Sequence, residues 1–284
     1  EMCIRDRRTS ELTISNSRLI TNEKERERFA NEPFPFFDYK EVFKMSIAER
    51  ITALRALMAD RGYDVYMVPT DDNHQSEYVG EHFKARAFIT GFTGSAGTAV
   101  IMQDMAGLWT DGRYFIQAAD QLEGTGITLF KMGEPEVPTV HEFLKKNLTQ
   151  GRCLGFDGRT VSAKEAAELE KMLDENGVSL SVDHDLAGDI WENRPVLSCE
   201  PVTELDIKWA GESRADKCAR IRKAMEKKGA DLFVLTSLDD IAWLLNIRGR
   251  DIHCCPVVLS YLVMTKTEIR LFANEKAFQT DVLE

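Results

Sequence analysis

A helix pattern closed by Gly62-Tyr63-Asp64-Val65-Tyr66-Met67-Val68 returns 167 residues later as Gly229-Ala230-Asp231-Leu232-Phe233-Val234-Leu235. Leu54 and Met58 on the apolar side of the first helix are answered by Ile221 and Met225, and Thr70 to Asp72 by Ser237 to Asp239. Further on the register slips, yet the order persists: 98–111 and 256–274 each read as strand, turn, strand. A repeat of this length is one supersecondary plan used twice, so the chain must fold as two domains of one kind in tandem. Each helix pattern ends at a glycine able to take the left-handed stop, and each following apolar run of four reads as a buried strand.

The first copy can be followed in full. Ser46 with Glu49 three residues later is a capping box, and Ile47, Ile51, Leu54 and Met58 continue at helical spacing. Strands are expected at 65–68, 98–102, 108–110, 127–130, 153–156 and 179–182, and further helices at 114–122, 139–148 and 162–175. Strands and helices interleaved at this pitch predict an α/β layer fold. Residues 45–195 are the first domain, 196–207, broken by Pro201, the linker, and 208–284 the second domain. Because the second copy has only 77 residues and stops within an expected helix at 275–284, we read it as incomplete and the chain as a fragment. Residues 1–44, without glycine and with nine basic and nine acidic residues, are set aside as a leader, either non-native or a disordered extension.

Composition removes several functions. A net charge of -11 and a pI near 5.1 argue against general nucleic-acid binding, which needs clustered Lys and Arg. The longest apolar stretch, 254–264, has 11 residues and contains Pro256, against the about 20 needed to span a bilayer, so no membrane partner is expected. The six cysteines form no C-x-x-C pair, which fits a reducing, cytoplasmic compartment and gives no zinc or disulfide framework.

Four groups of residues could carry chemistry. Asp71, Asp72, His74, Glu77 and His82 are the densest set of potential metal ligands, but their intervals match no standard ligand spacing, and helix capping or turn solvation explains them better. Gly91-Phe92-Thr93-Gly94-Ser95-Ala96-Gly97 could cradle a phosphate, yet it lacks the Walker lysine and precedes a strand, which favours a tight packing turn. Cys254 and Cys255 beside His253 offer a nucleophile only weakly, and His141 and His184 read as structural. In Trp109-Thr110-Asp111-Gly112-Arg113-Tyr114, a turn from buried strand to helix can project the Arg113 guanidinium toward a carboxylate or peptide oxygens. The plain alternative is that Asp111 caps the helix and Arg113 pairs with it or with Asp120.

These strings carry a resemblance. Val68-Pro69-Thr70, His74-Gln75-Ser76-Glu77-Tyr78, the 91–97 loop and Trp109-Thr110-Asp111-Gly112-Arg113-Tyr114-Phe115 resemble the first domain of three-domain Xaa-Pro aminopeptidases. Leu238-Asp239-Asp240-Ile241-Ala242-Trp243-Leu244-Leu245-Asn246-Ile247-Arg248-Gly249, then Pro256-Val257-Val258 and Ser260-Tyr261, resemble that family's second domain. The resemblance implies two creatinase-type amino-terminal α/β domains with mixed sheets and flanking helices, the second truncated. It implies a parent enzyme that removes the residue preceding a proline in second position, with two divalent metal ions, usually manganese, on a third, pita-bread domain absent here. No catalytic residue or metal ligand therefore falls in this chain, while Arg113 maps to a substrate contact. It also implies a homodimer in which these domains restrict the active-site entrance. The alternative is a non-catalytic α/β binding module.

Overall fold

The computed structural model describes residues 10–13 and 45–278, and its contacts divide the chain into two compact units at Val196 and Leu197. In the first repeat, helix α1 (Ile47–Arg61) starts at Ser46, whose hydroxyl accepts from the Glu49 amide while the Glu49 carboxylate accepts from the Ser46 amide. Gly62, at φ 74°, closes it by the left-handed turn that lacks a Cβ penalty.

Six strands follow: β2 (Val65–Pro69), β3 (Thr98–Met102), β4 (Ala106–Thr110), β5 (Thr128–Lys131), β6 (Cys153–Gly155) and β7 (Ser179–Ser181). They form one mixed sheet in the order β5-β4-β3-β2-β6-β7. The β2-β3 and β3-β4 pairs are antiparallel; β4-β5, β2-β6 and β6-β7 are parallel. Helices cover both faces, and the period of two along β2 sorts its side chains between them. Tyr66 and Val68 pack with Leu54, Met58 and Ile89, residues of α1 and of α2 (Ala85–Thr90). Val65 and Met67 pack on the other face with Leu144 of α4 (Val140–Asn147) and with Leu169 and Leu173 of α5 (Ala163–Asp174). Leu54 and Met58 have no exposed surface, which is worth about 1.5–3 kcal/mol for each side chain. Between β4 and β5 runs α3 (Phe115–Leu122), and α6 (Leu186–Asp189) precedes Trp191, stacked 4.6 Å from Phe88.

The second unit repeats the first half of this plan. After the short α7 (Ile207–Ala210), Ser213 caps α8 (Arg214–Lys228), and Gly229 ends it at φ 65°. Strands β9 (Leu232–Leu235), β11 (Ser260–Thr265) and β12 (Ile269–Ala273) then pair antiparallel in sequence, as β2, β3 and β4 do. Helix α9 (Leu238–Leu245) lies between β9 and β11 and packs Ile241, Leu244 and Leu245 with Met225 and Leu262. Within the stretch read as linker, β8 (Thr203–Glu204) pairs with β10 (Ile247–Arg248). Four residues of the leader are described: Ser10–Thr13, strand β1, pairs antiparallel with β12. The rest of 1–44 lies outside the described residues.

Two local expectations change. Residues 114–122 split into a 3-10 turn (Gly112–Tyr114) and α3, because the Asp111 side chain caps the turn and not the helix. Residues 275–284 begin as a 3-10 turn (Glu275–Ala277) capped by Asn274, and 279–284 lie outside the described residues.

Candidate functional site

The site begins where β4 ends. All five residues of β4 are buried, with Trp109 stacked on Phe130 at 3.9 Å, so the strand is rigid up to Thr110, whose hydroxyl donates to the Ala96 carbonyl at 2.7 Å. Asp111 is the first half-exposed residue beyond it. Its Oδ1 accepts from the Arg113 amide (3.1 Å) and Nε (2.9 Å), and its Oδ2 accepts from Nη2 at 2.8 Å. Two side chains that would otherwise swing in solvent are thereby locked in a planar, bidentate pair.

The pairing leaves the Nη1 side of Arg113 unused, and 66% of the side chain is exposed. Hydrogen bonding from Arg113 holds the Asp111 carboxyl below its usual range, and Asp111 holds the guanidinium above its own; Glu77 adds in the same direction. Of the two partners the plain reading named, Arg113 pairs with Asp111 and not with Asp120, and its Nη1 donors stay outside that pair. The second unit shows what the turn requires structurally. There Asn274 caps the turn through the Lys276 amide, an amide oxygen in place of the Asp111 carboxylate, and a lysine stands in place of the arginine. The turn needs a cap; it does not need an arginine held flat.

The 91–97 loop lies against this site and spends its backbone internally. The Thr93 amide donates to Gln121 Oε1 at 2.9 Å, and the Phe92 amide to Thr90 Oγ1 at 3.2 Å. Arg86, only 3% exposed, donates to the Phe92 and Gly94 carbonyls and, through Nε, to Thr70 Oγ1 at 2.7 Å. Burial lowers its pKa to about 10. The loop is a close-packed turn around a buried cation. Sequence reasoning missed Arg86; its one signal is a lone charge in the apolar run Ala85-Arg86-Ala87-Phe88-Ile89.

The acidic and histidine set does not converge. Asp72 is fully buried, and its Oδ1 accepts from the His74 (2.8 Å) and Ser76 (3.0 Å) amides. His82 Nδ1 meets the Pro195 carbonyl at 2.8 Å. Asp71 lines a narrow cleft with Asp157, Asp185 and Arg194. There Asp157 and Asp185 are already paired, Arg159 reaching both (2.8 and 2.7 Å) and Arg194 reaching Asp185. Elsewhere His184 Nδ1 meets Tyr63 Oη at 2.7 Å, and His141 lies 3.4 Å from Glu165. Cys254 is exposed in a left-handed turn at φ 61°. Among the described residues no three His, Cys, Asp or Glu side chains are placed to hold a metal ion.

Two models described as the creatinase/prolidase N-terminal domain match residues 50–187 and 193–284. The chain is similar to a "Probable Xaa-Pro aminopeptidase P" of Laccaria bicolor, 43% identical over 82% of this chain and 36% of the relative. A protein of the same description from Neurospora crassa is 40% identical over 86% of this chain and 36% of its own length. Among solved structures, the X-prolyl aminopeptidase of Caenorhabditis elegans, described as a cytosolic enzyme with a di-nuclear active site, superposes with a TM-score of 0.78 at 34% identity. That match covers 84% of this chain and 40% of the C. elegans chain. The chain thus spans little more than a third of the curated relatives it matches.

Proposed function

Because the chain belongs to the creatinase/prolidase N-terminal domain family, we propose that it forms the substrate-facing front of an Xaa-Pro aminopeptidase. The similarity to Xaa-Pro aminopeptidases P over more than four fifths of its length carries this reading. The described residues do not fit the di-nuclear centre that the C. elegans enzyme is described as having, since no three ligand side chains meet. The metal chemistry, two divalent cations and manganese in the first instance, is therefore assigned to polypeptide other than these residues. The parent is read as a cytoplasmic homodimer in which this front restricts the entrance to peptides with proline in second position.

Arg113 is its substrate contact. The Asp111 carboxylate holds the guanidinium plane, and the free Nη1 edge donates to carbonyl or carboxylate oxygens of the peptide. The locked geometry reduces the rotamer entropy that a free arginine would lose on binding.

Two measurements test this. The pure 284-residue chain, supplied with manganese, is expected not to release the first residue of an Xaa-Pro peptide; turnover would move the chemistry into this chain. In the complete enzyme, Arg113→Ala is expected to lower kcat/KM by the equivalent of about 1.5–3 kcal/mol, the loss of one charge-assisted bond. Unchanged kcat/KM would return Arg113 to a purely structural pairing with Asp111.

A further inference from the structure

Asp111 is not the only group that places Arg113. The guanidinium carbon lies 5.2 Å from the centroid of the Tyr114 ring, within cation–π range. That ring is itself held. Its hydroxyl meets Ser95 Oγ at 2.6 Å, and it stands edge-on to Phe92, with centroids 5.9 Å apart at 77°. Gly94 passes so near that a Cβ there would sit 2.8 Å from Tyr114 Cδ1 and 2.3 Å from Phe92 Cζ. Arg86 pins the same loop from beneath through the Phe92 and Gly94 carbonyls. An unbroken series of contacts thus joins a buried arginine, the loop, the tyrosine ring and the exposed arginine.

We propose that Tyr114 is a positioning residue for Arg113, its ring keeping the guanidinium turned so that the Nη1 edge faces a bound peptide. The proposal rests on the reading of Arg113 as a peptide contact. Two features separate it from ordinary packing. Phe92 and Gly94 are buried, so they can hold Tyr114 in place, whereas the guanidinium it faces is largely exposed and adds nothing to the core. In the second unit, where Lys276 stands in the place of Arg113, the next residue is Ala277 and no ring is present.

The test is a double-mutant cycle in the complete enzyme with an Xaa-Pro peptide. Tyr114→Leu is expected to raise KM about two- to fivefold with little change in kcat, the size of an exposed cation–π contact. Tyr114→Phe, which keeps the ring, should return KM to within about twofold of wild type. In an Arg113→Ala background Tyr114→Leu should change nothing further, because the group it places is gone. Equal effects of Tyr114→Leu in both backgrounds would overturn the proposal, as would failure of the Phe variant to restore KM. No effect of Arg113→Ala would instead overturn the reading beneath it. Should Tyr114→Leu not fold, the Arg113 Cδ protons of the 284-residue chain decide, since they take no part in the hydrogen bonds to Asp111: the Tyr114 ring current is expected to move them upfield of the random-coil position, and unshifted resonances overturn the proposal.

Discussion

Asp71 shows most clearly what burial does to one side chain. Its carboxyl is pushed up to about 7 from an ordinary 3.8, first by desolvation, then by the neighbouring Asp72 and by Glu165. A carboxyl with a raised folded pKa binds more protons folded than unfolded, so its contribution to stability is full below about pH 4 and is lost as pH rises through 7. Wild-type Tm is therefore expected to fall between these values by more than that of Asp71→Asn; parallel profiles would remove Asp71 as the cause. Arg86 makes the opposite case, a buried cation each of whose three nitrogens donates a hydrogen bond. Arg86→Met leaves two carbonyls without their donor and should cost about 3 kcal/mol or more in urea unfolding. A loss under 1 kcal/mol would mean that the loop finds other donors. The pairing of Arg113 with Asp111 was legible from its string, because Asp-Gly-Arg at a turn puts carboxylate and guanidinium two residues apart. Arg86 and Asp71 were not, since nothing in Ala85-Arg86-Ala87 or Thr70-Asp71-Asp72 says which neighbours the fold will bring.

Elements set by adjacent residues were the most legible. Ser46 and Ser213 stand 167 residues apart, as do the stops Gly62 and Gly229, so each 15-residue helix is bounded by chemistry written within one turn of its ends. Ser46→Ala and Ser213→Ala should each lower stability by about 1 kcal/mol through loss of one cap bond. Equal stability of wild type and variants would show that the helix ends are held by packing alone. Strand positions were also readable from four-residue apolar runs, but partners were not. β2 finds β6, 89 residues on in sequence, through the pairing Val65 with Leu154 and Tyr66 with Gly155. At 275–277 helical spacing misled, because Asn274 closes a 3-10 turn by bonding the Lys276 amide two residues on.

At the scale of the molecule, the repeat foretold two units of one plan, and the sheets show where the two copies part. Val65 and Met67 are buried beneath α4 and α5, whereas their repeat partners Leu232 and Val234 are 56% and 51% exposed on the described chain. Each unit carries its own core, one centred on Leu54, Tyr66 and Leu108, the other on Leu244, Leu262 and Leu271. Leu154→Ala and Leu262→Ala, both at sites with no exposed surface, should each cost about 2–5 kcal/mol. Hydrogen exchange should show each loss confined to amides of its own unit. A uniform loss throughout the chain would mean that the units unfold as one. Helix limits, strand runs, the tandem plan and the exposed Arg113 follow from residues close together in the chain, because caps, glycine stops and apolar periodicity act over one or two turns. The parallel strands on β2, the burial of Asp71 and the Arg86-to-Tyr114 support of Arg113 arise only on folding, since they depend on desolvation and contacts between segments that sequence order leaves far apart.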